Sequence, residues 1–463
     1  MNWASRFVLA CAALASGCAS ETARVDLPIP ERWTNQVEAG PADSRDLRQW
    51  WRGFDDAELD RLIADAMVAN RDLAIARARI REALAGTAAT QSLLLPRVDA
   101  NATASRSKDL TRSLPIVDSR SALLVASWEI DLFGGNRLDV KAAQAQARAA
   151  GEGLYGAQVT LISEVARNYF ELRGLQARTA IVRRNIDVQR ETQRLADGRF
   201  RAGLATDLDV ARATAQLEST QALLPELEAE TAARAHRLAV LLGKPPATLQ
   251  ISPPASPAFS ASQPALPALL PSELLEQRPD LRRAREELTA RSAELGSTKT
   301  DLFPKFFLSA SAGRQSASIN PLPYRTADVF SLGALLTAPI FNAGRIRASI
   351  EASDARLAEA GAAYERTFLE ALEDVENAYV LYASSRTRRE HLAASFEAAE
   401  RARRRAEALF GKGAADYLTV LDAQRTALTV EDSLVRSSAG VALATVGLYR
   451  AFGGGWEASA PEK

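Results

Sequence analysis

Two long stretches without proline limit the fold more than any other feature of this sequence. One lies between Pro115 and Pro225 and the other between Pro339 and Pro461, and both are rich in the helix formers Ala, Leu, Arg, Glu and Gln. A helix over residues 138–197 would be about 90 Å long at ~1.5 Å per residue, more than a globular domain can bury. Such a helix must pack lengthwise on other helices, so we predict an elongated, mainly α-helical protein.

The chain also consists of two similar halves. Pro96 and Pro304 are 208 residues apart, and the same spacing separates Phe133 from Phe341. Landmarks that recur at one spacing along a whole chain indicate an internal duplication. We expect each half to contain a first helix, two strands joined by a polar loop, and a long helical hairpin.

The predicted domain boundaries follow this duplication. Residues 243–271 contain eight prolines, a density that neither a helix interior nor a central strand tolerates, so this stretch is interpreted as a connector. The other predicted segments are a signal peptide at 1–17, a lipidated extended segment at 18–49, a first repeat at 50–242 with strands at about 97–106 and 122–131 and a hairpin at about 135–242, a second repeat at 272–455 with strands at about 305–314 and 329–339 and a hairpin at about 342–453, and a tail at 456–463.

The N-terminus has the layout of a bacterial export signal. Arg6 supplies an early positive charge, residues 7–14 form a short apolar run, and small residues precede Cys18. Residues 14–18 resemble a lipobox, in which the cysteine is acylated, although Ala15 stands where that pattern more often has Leu. Cys18 is therefore a predicted lipidation site, with a plain signal peptide as the alternative. No cysteine follows it, so the mature chain can have neither a disulfide nor a thiolate metal site.

Four segments alternate between apolar and polar residues with a period of two, the pattern of a strand with one apolar face. Each is about ten residues long, which suits a tilted strand that spans a bilayer, although a soluble sandwich would show the same alternation. The strands argue against a plain coiled-coil rod. Their apolar positions are Val98, Ala100, Ala102 and Ala104; Leu124, Ala126, Trp128 and Ile130; Phe306, Leu308, Ala310 and Ala312; and Phe330, Leu332, Ala334 and Leu336.

Four strands are too few to close a barrel around a pore. Spanning barrels begin at about eight strands, and an open sheet edge in hydrocarbon would leave backbone groups without hydrogen bonds. Several copies of the chain must therefore contribute strands to one barrel. Two copies are the minimum, and three would give twelve strands.

Three motifs carry a resemblance to a known family. They are residues 50–56 (WWRGFDD), residues 128–134 (WEIDLFG) and residues 274–281 (LLEQRPDL), the last followed by DLFP at 301–304. In this order and spacing they resemble the TolC-like outer-membrane factor family, and within it the NodT/OprM-like lipoproteins. The likeness covers nearly the whole mature chain.

The resemblance implies a homotrimer with a twelve-stranded outer-membrane barrel and a twelve-helix periplasmic tunnel. It implies a passive efflux channel for drugs or other small toxic compounds, working in a tripartite system with a periplasmic adaptor protein and an inner-membrane pump of the RND type. An outer-membrane duct for type I protein secretion and a periplasmic scaffold without a pore are the alternatives. No catalytic activity, cofactor or metal is implied.

Composition and motifs agree with a protein that is not an enzyme. There is no phosphate loop and no HExxH, and we interpret the two histidines, His236 and His391, as solvated or satisfied helix residues. The 57 basic residues balance 57 acidic ones, so the charge gives no reason to expect a nucleic-acid partner.

The site residues are predicted at the two hairpin tips. Glycines interrupt otherwise continuous helices there, so these tips are the expected places for adaptor docking. Segment 416–424 resembles the family segment that closes the periplasmic entrance. In a trimer, Leu418 and Asp422 would form an apolar ring beside an acidic ring, with Arg404 or Arg425 as possible partners; alternatively, Asp422 is a solvated helix residue. The predicted tip residues are Gly203, Leu204, Asp207, Gly411, Gly413 and Ala414.

Overall fold

The structure is a computed structural model that describes residues 26–36, 47–108, 116–253, 262, 264, 266, 269–319 and 325–456. The predicted signal peptide, Cys18 and residues 457–463 lie outside this part of the chain. The described residues are mainly α-helical with four strands, as predicted. The helices are α1 Ala57–Ala69, α2 Arg71–Gln91, α3 Gly135–Arg201, α4 Asp207–Gln221, α5 Leu223–Leu241, α6 Leu274–Gln277, α7 Pro279–Thr300, α8 Arg345–Gly411 and α9 Tyr417–Ala451, and the strands are β1 Arg97–Ser107, β2 Val117–Ile130, β3 Lys305–Ile319 and β4 Arg325–Thr337.

Three strands extend further towards their connecting loops than the residue pattern indicates. β2 begins at Val117 instead of about 122, and its pairing with β1 continues to Ser107. Likewise, β3 reaches Ile319 and β4 begins at Arg325. Charged residues at these ends interrupt the alternation of apolar and polar side chains, while the backbone hydrogen bonds continue regardless of side chain.

The chain forms two compact units, and each unit contains segments of both halves. Unit 1 comprises Met1–Leu27, Ala78–Glu152 and Arg282–Thr367, and therefore includes all four strands. Unit 2 comprises Pro28–Arg77, Gly153–Leu281 and Phe368–Lys463. Neither unit is a single repeat, because long helices of each half belong partly to one unit and partly to the other.

The strands of unit 1 form one antiparallel sheet in the order β1-β2-β3-β4. Its register aligns Val98 with Ala126, Ala126 with Ala310, and Ala310 with Leu332, and paired residues lie on the same face. All sixteen apolar positions of the sequence pattern consequently share one face, here called the apolar face. The opposite face carries hydroxyl pairs between neighbouring strands: Thr103 with Ser121 at 2.6 Å, Ser105 with Ser119 at 2.7 Å and Ser311 with Ser331 at 2.8 Å.

Two of the three sequence motifs, residues 50–56 and 274–281, lie in unit 2 and pack there against distant parts of the chain. Trp50 is buried and its ring stacks on Tyr449 at 5.1 Å between centroids. Asp56 caps α1 through one carboxylate oxygen and accepts a hydrogen bond from the Tyr169 hydroxyl through the other, at 2.6 Å. The buried Arg278 guanidinium donates to the carbonyl of Ala451 at 2.8 Å. Motif residues far apart in sequence therefore hold one core together.

The two hairpins differ in their second helices. In the first half this helix is interrupted at Ala222, which gives α4 and α5, whereas α9 of the second half continues without a break from Tyr417 to Ala451. Pro225 explains the interruption, because it has no N–H and its ring conflicts with the carbonyl four residues earlier.

In the described part of the chain, no helix combines the length and the apolar character that a membrane crossing requires.

Candidate functional site

The candidate site consists of the two hairpin tips and the first turns of the helices that follow them, all within unit 2. The first tip joins α3 to α4 and the second joins α8 to α9. Both belong to the segments that the sequence singles out for adaptor docking and for the gate. Their geometry shows which residues are held in place by the chain itself and which are left exposed for a partner.

The first tip ends α3 with a left-handed glycine. The N–H of Gly203 donates to the carbonyl of Phe200 at 2.9 Å, and the N–H of Leu204 donates to that of Arg199 at 2.8 Å. These two bonds form a Schellman motif, which places its glycine at positive φ, here 72°. The leucine side chain that follows is 70% exposed. The turn therefore presents an apolar residue that nothing in the described chain covers.

The second tip repeats this geometry. The N–H of Gly413 donates to the carbonyl of Phe410 and the N–H of Ala414 to that of Leu409, both at 2.9 Å. Gly413 has a φ of 75°, so it is the residue that the turn requires. Gly411 is the last residue of α8 and is not in the left-handed region, so it plays no such part. The two predicted glycines of this tip thus have different roles.

The return helices begin with different caps. Thr206 and Asp209 form a capping box at the start of α4: the Thr206 hydroxyl accepts from the Asp209 N–H at 3.3 Å, and the Asp209 carboxylate accepts from the Thr206 N–H at 3.1 Å. Asp207 is exposed in the first turn of α4, where a carboxylate also favours the helix dipole. The two acidic residues of this tip are accordingly explained in part by helix capping.

At the second tip a carboxylate takes over the capping. Asp416 precedes α9, and its side chain accepts hydrogen bonds from the backbone N–H of Thr419, at 2.9 Å, and from the Thr419 hydroxyl. These hydrogen bonds, first the one from the hydroxyl and then the one from the backbone, lower the pKa of the Asp416 carboxyl. The start of α9 consequently depends on a group that titrates in acid.

One side chain links the two tips directly. The guanidinium of Arg199 in the first tip donates to the carbonyl of Phe410 in the second at 2.7 Å, and its carbon lies 4.7 Å from the centre of the Phe410 ring. That ring packs edge-on against Tyr417 at 5.8 Å. Arg199 thus adds a second hydrogen bond to a C-terminal carbonyl of α8 that already accepts one from the N–H of Gly413. No local sequence pattern indicates this contact.

An apolar cluster lies beneath the tips and includes residues from all four helices. Small residues allow these helices to approach, while aromatic and branched side chains fill the space between them. Because it is built from α3, α4, α8 and α9, the cluster makes the two tips one packed structure. Its members are Ala196, Ala213, Ala406, Phe410, Tyr417, Val420 and Leu421.

The predicted gate residues lie outside this cluster. Leu418 is 51% exposed and Asp422 is exposed, and both are in the first turns of α9. They are four residues apart, so they share a helix face. Their neighbours Val420 and Leu421 are buried in the cluster. The face with Leu418 and Asp422 is therefore the one that α9 leaves uncovered within the chain.

Neither arginine that the sequence offers as a partner for Asp422 contacts it within the chain. Arg404 pairs with Glu400 at 3.4 Å, and Arg425 donates to the side chain of Gln216. Across the described residues, the ion pairs of the tip region do not include Asp422. A partner for this carboxylate has to come from another copy or from solvent.

On the side of the apolar cluster away from the tips lies a buried polar layer that sequence reasoning missed. The Gln424 amide nitrogen donates to the Thr192 hydroxyl at 3.1 Å and to the Glu407 carboxylate at 2.9 Å, which ties α9 to α3 and α8. Gln216 is buried on α4, and Gln189 is buried with neither amide atom hydrogen-bonded to the described residues. A polar layer with an unsatisfied amide holds helices less firmly than apolar packing does.

No metal centre is found among the described residues, because no group of three or more His, Cys, Asp or Glu side chains is arranged to hold an ion. His236 and His391 are exposed on α5 and α8, respectively. The chemistry of the tips is thus that of capping, ion pairing and apolar contact.

Comparison with known proteins gives consistent matches along the chain. The family model described as outer membrane efflux protein matches residues 62–244 and 270–454, one match in each half. The pyoverdine export outer membrane protein OpmQ of Pseudomonas aeruginosa is 36% identical over 461 residues, which cover 96% of this chain and 95% of that protein. The outer membrane protein OprJ of the same organism is 32% identical and covers 93% and 91%.

Solved structures give the same result. The outer-membrane channel OprN matches with a TM-score of 0.85 and 32% identity, covering 95% of this chain and 100% of that one. The open state of the Neisseria gonorrhoeae MtrE outer membrane channel matches with a TM-score of 0.83 and 26% identity, covering 94% and 97%. The fold is that of the TolC-like outer-membrane channels.

Proposed function

This chain belongs to the outer membrane efflux protein family, which makes it an efflux channel subunit of the outer membrane, and we propose that it serves a tripartite efflux system. It would work as a homotrimer and as a passive conduit. A periplasmic adaptor and an inner-membrane pump, of the RND type, would deliver drugs or other small toxic compounds to it for release outside the cell.

The observation that carries this proposal is the sheet of unit 1. Its register gathers sixteen apolar side chains on one face, whereas most hydroxyl and amide side chains of the strands lie on the other, together with the apolar residues Leu123, Val125, Phe307, Val329 and Leu335. Among the described strands, β1 and β4 each pair on one side only. Edges of this length need a partner, and in a membrane the unpaired groups cost several kcal/mol each. Three copies that join β1 to β4 of the next would close twelve strands around a polar interior.

Conductance of the purified protein tests this proposal. We expect a trimer in detergent that produces single-channel currents in planar bilayers. A charge at the middle of the apolar face, Ala310→Lys, should prevent membrane assembly, whereas Ser311→Lys on the opposite face should leave it intact, because only the first would face lipid. Monomers without conductance, or equal assembly of both variants, would contradict the proposal.

The hairpin tips are proposed as the adaptor-docking surface. Support comes from Leu204, Leu208 and Leu418, which are 70%, 51% and 51% exposed at one end of unit 2. Exposed apolar residues grouped in this way mark protein-interaction sites. Cysteines placed at Leu204 or Ala414 should crosslink to the adaptor in cells, and one placed at Ser316 in β3 should not. Equal crosslinking from all three positions would refute this placement.

Two classes of exported compound are candidates: drugs and siderophores. Drug efflux is the expectation from the resemblance to the NodT/OprM-like lipoproteins, while export of a siderophore is favoured by OpmQ relatives in two Pseudomonas species whose names describe pyoverdine export, at 36% and 32% identity. A deletion strain separates the two, because it should become drug-sensitive in the first case and retain siderophore in the second. Loss of a secreted protein with neither effect would instead indicate a type I secretion duct.

Lipid anchoring at Cys18 is proposed from its lipobox alone. Palmitate labelling of the wild type and not of Cys18→Ser is the expected result, and equal labelling would rule the anchor out. Because a barrel buries far more apolar surface than one lipid group, the variant should still reach the membrane.

A further inference from the structure

The apolar face of the sheet becomes charged only near the strand ends that lie away from the helices. On the described strands, the charged residues of this face form a single belt. Within it, Nε of Arg106 lies 2.6 Å from Asp118 Oδ1, and Nε of Arg314 lies 2.9 Å from Asp328 Oδ1. The rest of the face is uncharged. The belt consists of Arg106, Asp118, Arg120, Arg314 and Asp328.

The belt runs obliquely across the strands. Arg106 pairs in register with Asp118, whereas Arg314 lies opposite Ala122, four residues further along β2. A membrane surface traces such an oblique line on strands that are tilted by about 35–45°. The charged belt therefore lies where lipid headgroups are expected. The uncharged part of the face, between the belt and the helices, lies where the hydrocarbon layer is expected.

A shallow groove of about 480 Å³ opens on the same face next to the belt. Its floor includes the small side chains of Ala122 and Ala312, and one wall is Phe330, which is 87% exposed. Arg314 and Asp328 lie at its charged end. The groove thus combines an apolar trough, which can hold a lipid chain, with a guanidinium at its charged end, which can bind the headgroup of the same lipid.

We propose that each protomer binds one phosphorylated glycolipid of the outer leaflet here, with a phosphate at Arg120 and Arg314 and one acyl chain in the groove beside Phe330. The inference rests on the proposed function, since it requires the apolar face to contact the outer membrane. The leaflet follows from the position of the belt, at the strand ends furthest from the helices.

The charges of the belt suit a phosphate. The belt contains three arginines and two aspartates, so each protomer has one excess positive charge on the apolar face. A guanidinium has five N–H donors and binds phosphate through two of them, and Asp328 occupies the Nε–H of Arg314. That ion pair is exposed and contributes little by itself, so it can rearrange around an anionic headgroup. Basic residues at this depth attract acidic lipids.

Lipid titration of the trimer, followed by native mass spectrometry, tests the site. Bisphosphorylated lipid A should bind the wild type with one molecule per protomer, and Arg120→Gln with Arg314→Gln should weaken binding about tenfold through the lost charge-assisted hydrogen bonds. Ala312→Leu, which fills the groove without changing charge, should also weaken it. Arg97→Gln is the matched control, because Arg97 is 77% exposed on the opposite face at the other end of β1.

Two results would overturn the site: unchanged affinity in the double arginine variant, or equal affinity for dephosphorylated lipid A or for phosphatidylglycerol. Conductance of the same preparations separates this outcome from a failure of the proposed function. Conducting trimers that bind lipid A regardless of the arginines contradict the lipid site alone. Wild-type protein that neither forms trimers nor conducts contradicts the channel on which the site depends.

Discussion

The two hairpin tips have the same turn but differ in the helix cap and in the charge that follow it. Gly203 and Gly413 occupy equivalent left-handed positions with the same hydrogen bonds. Leu208 and Leu418, 210 residues apart, are equally exposed, but Arg212 in the first half stands where Asp422 stands in the second. The duplication has kept the backbone geometry, which few residues can satisfy, and has reversed the charge on the exposed helix face.

The helices behind the tips differ as well. α4 ends after fifteen residues, whereas α9 continues for 35. Ion pairs to α3 are present in both hairpins, such as Arg183 with Glu228 on α5 at 3.1 Å and Arg178 with Asp432 on α9 at 2.6 Å, so the difference lies in the interruption. A continuous helix transmits a displacement along its length, while a helix interrupted at Ala222 can bend there. On this ground we propose that the second hairpin carries the predicted periplasmic gate.

The largest effect, a rise in conductance, should come from truncating the two side chains on the exposed face of α9. Leu418→Ala combined with Asp422→Ala should raise single-channel conductance severalfold and admit large antibiotics such as vancomycin, because the rings proposed to close the entrance would be gone. Trimer abundance should not change, since neither side chain belongs to the apolar cluster. Planar-bilayer recording and antibiotic susceptibility measure the two consequences.

The equivalent pair in the first half is the control. Leu208→Ala with Arg212→Ala changes the two positions equivalent to Leu418 and Asp422 and should raise conductance much less. Unchanged conductance from a correctly assembled Leu418/Asp422 variant would move the gate to the first tip, most directly to Asp207 and Asp209.

Arg199→Ala should have the next largest effect, because it removes the side chain that links the two turns directly. The variant loses a charge-assisted hydrogen bond to the Phe410 carbonyl and a contact with the ring, together about 1–2 kcal/mol of local stability. Hydrogen exchange at the amides of residues 410–417 should speed up accordingly. Arg201→Ala is the control, because that side chain is 78% exposed and its pair with Asp197 contributes little. Equal acceleration in both variants would exclude Arg199 as the link.

The shared turn predicts equal costs at the two glycines. Gly203→Ala and Gly413→Ala should each destabilise their tip by about 1–2 kcal/mol, since a Cβ disfavours the left-handed conformation. Gly198→Ala, inside α3 with open space around the added Cβ, should be neutral or stabilising by up to ~1 kcal/mol. Denaturant unfolding or local hydrogen exchange measures all three. A clearly smaller loss of stability at one tip would show that the glycine does not determine the turn there.

The smallest expected effect is the loss of helix capping by Asp416 at acid pH. The folded-state pKa of Asp416 is lowered by its hydrogen bonds to Thr419, so its capping contribution is complete above the unfolded pKa, about 4, and is lost as pH falls through the folded value. Protection of the first amides of α9 in the wild type should drop as the pH is lowered below about 4. Asp416→Asn, which keeps a capping oxygen but does not titrate there, should remove this dependence. A pH profile unaltered by the substitution would assign the loss to another group.

The sequence alone determined the features that depend on neighbours within a few residues. Proline-free runs gave the long helices, a period of two gave the four strands, and the glycines marked both turns, because these patterns act through local sterics and side-chain direction. Pro225 could also have revealed the break between α4 and α5. The family resemblance came from motifs whose residues, such as Trp50 and Arg278, turn out to hold the core of unit 2 together.

Only the tertiary structure decided which distant residues meet. The contact of Arg199 with Phe410 spans 211 positions and that of Gln424 with Thr192 spans 232, and no spacing rule reaches that far. The same holds for the strand register that gathers Arg106, Arg120 and Arg314 into one belt. A local pattern fixes the face on which a side chain lies, but its partner depends on how helices and strands pack over the whole chain, which is a property of the fold.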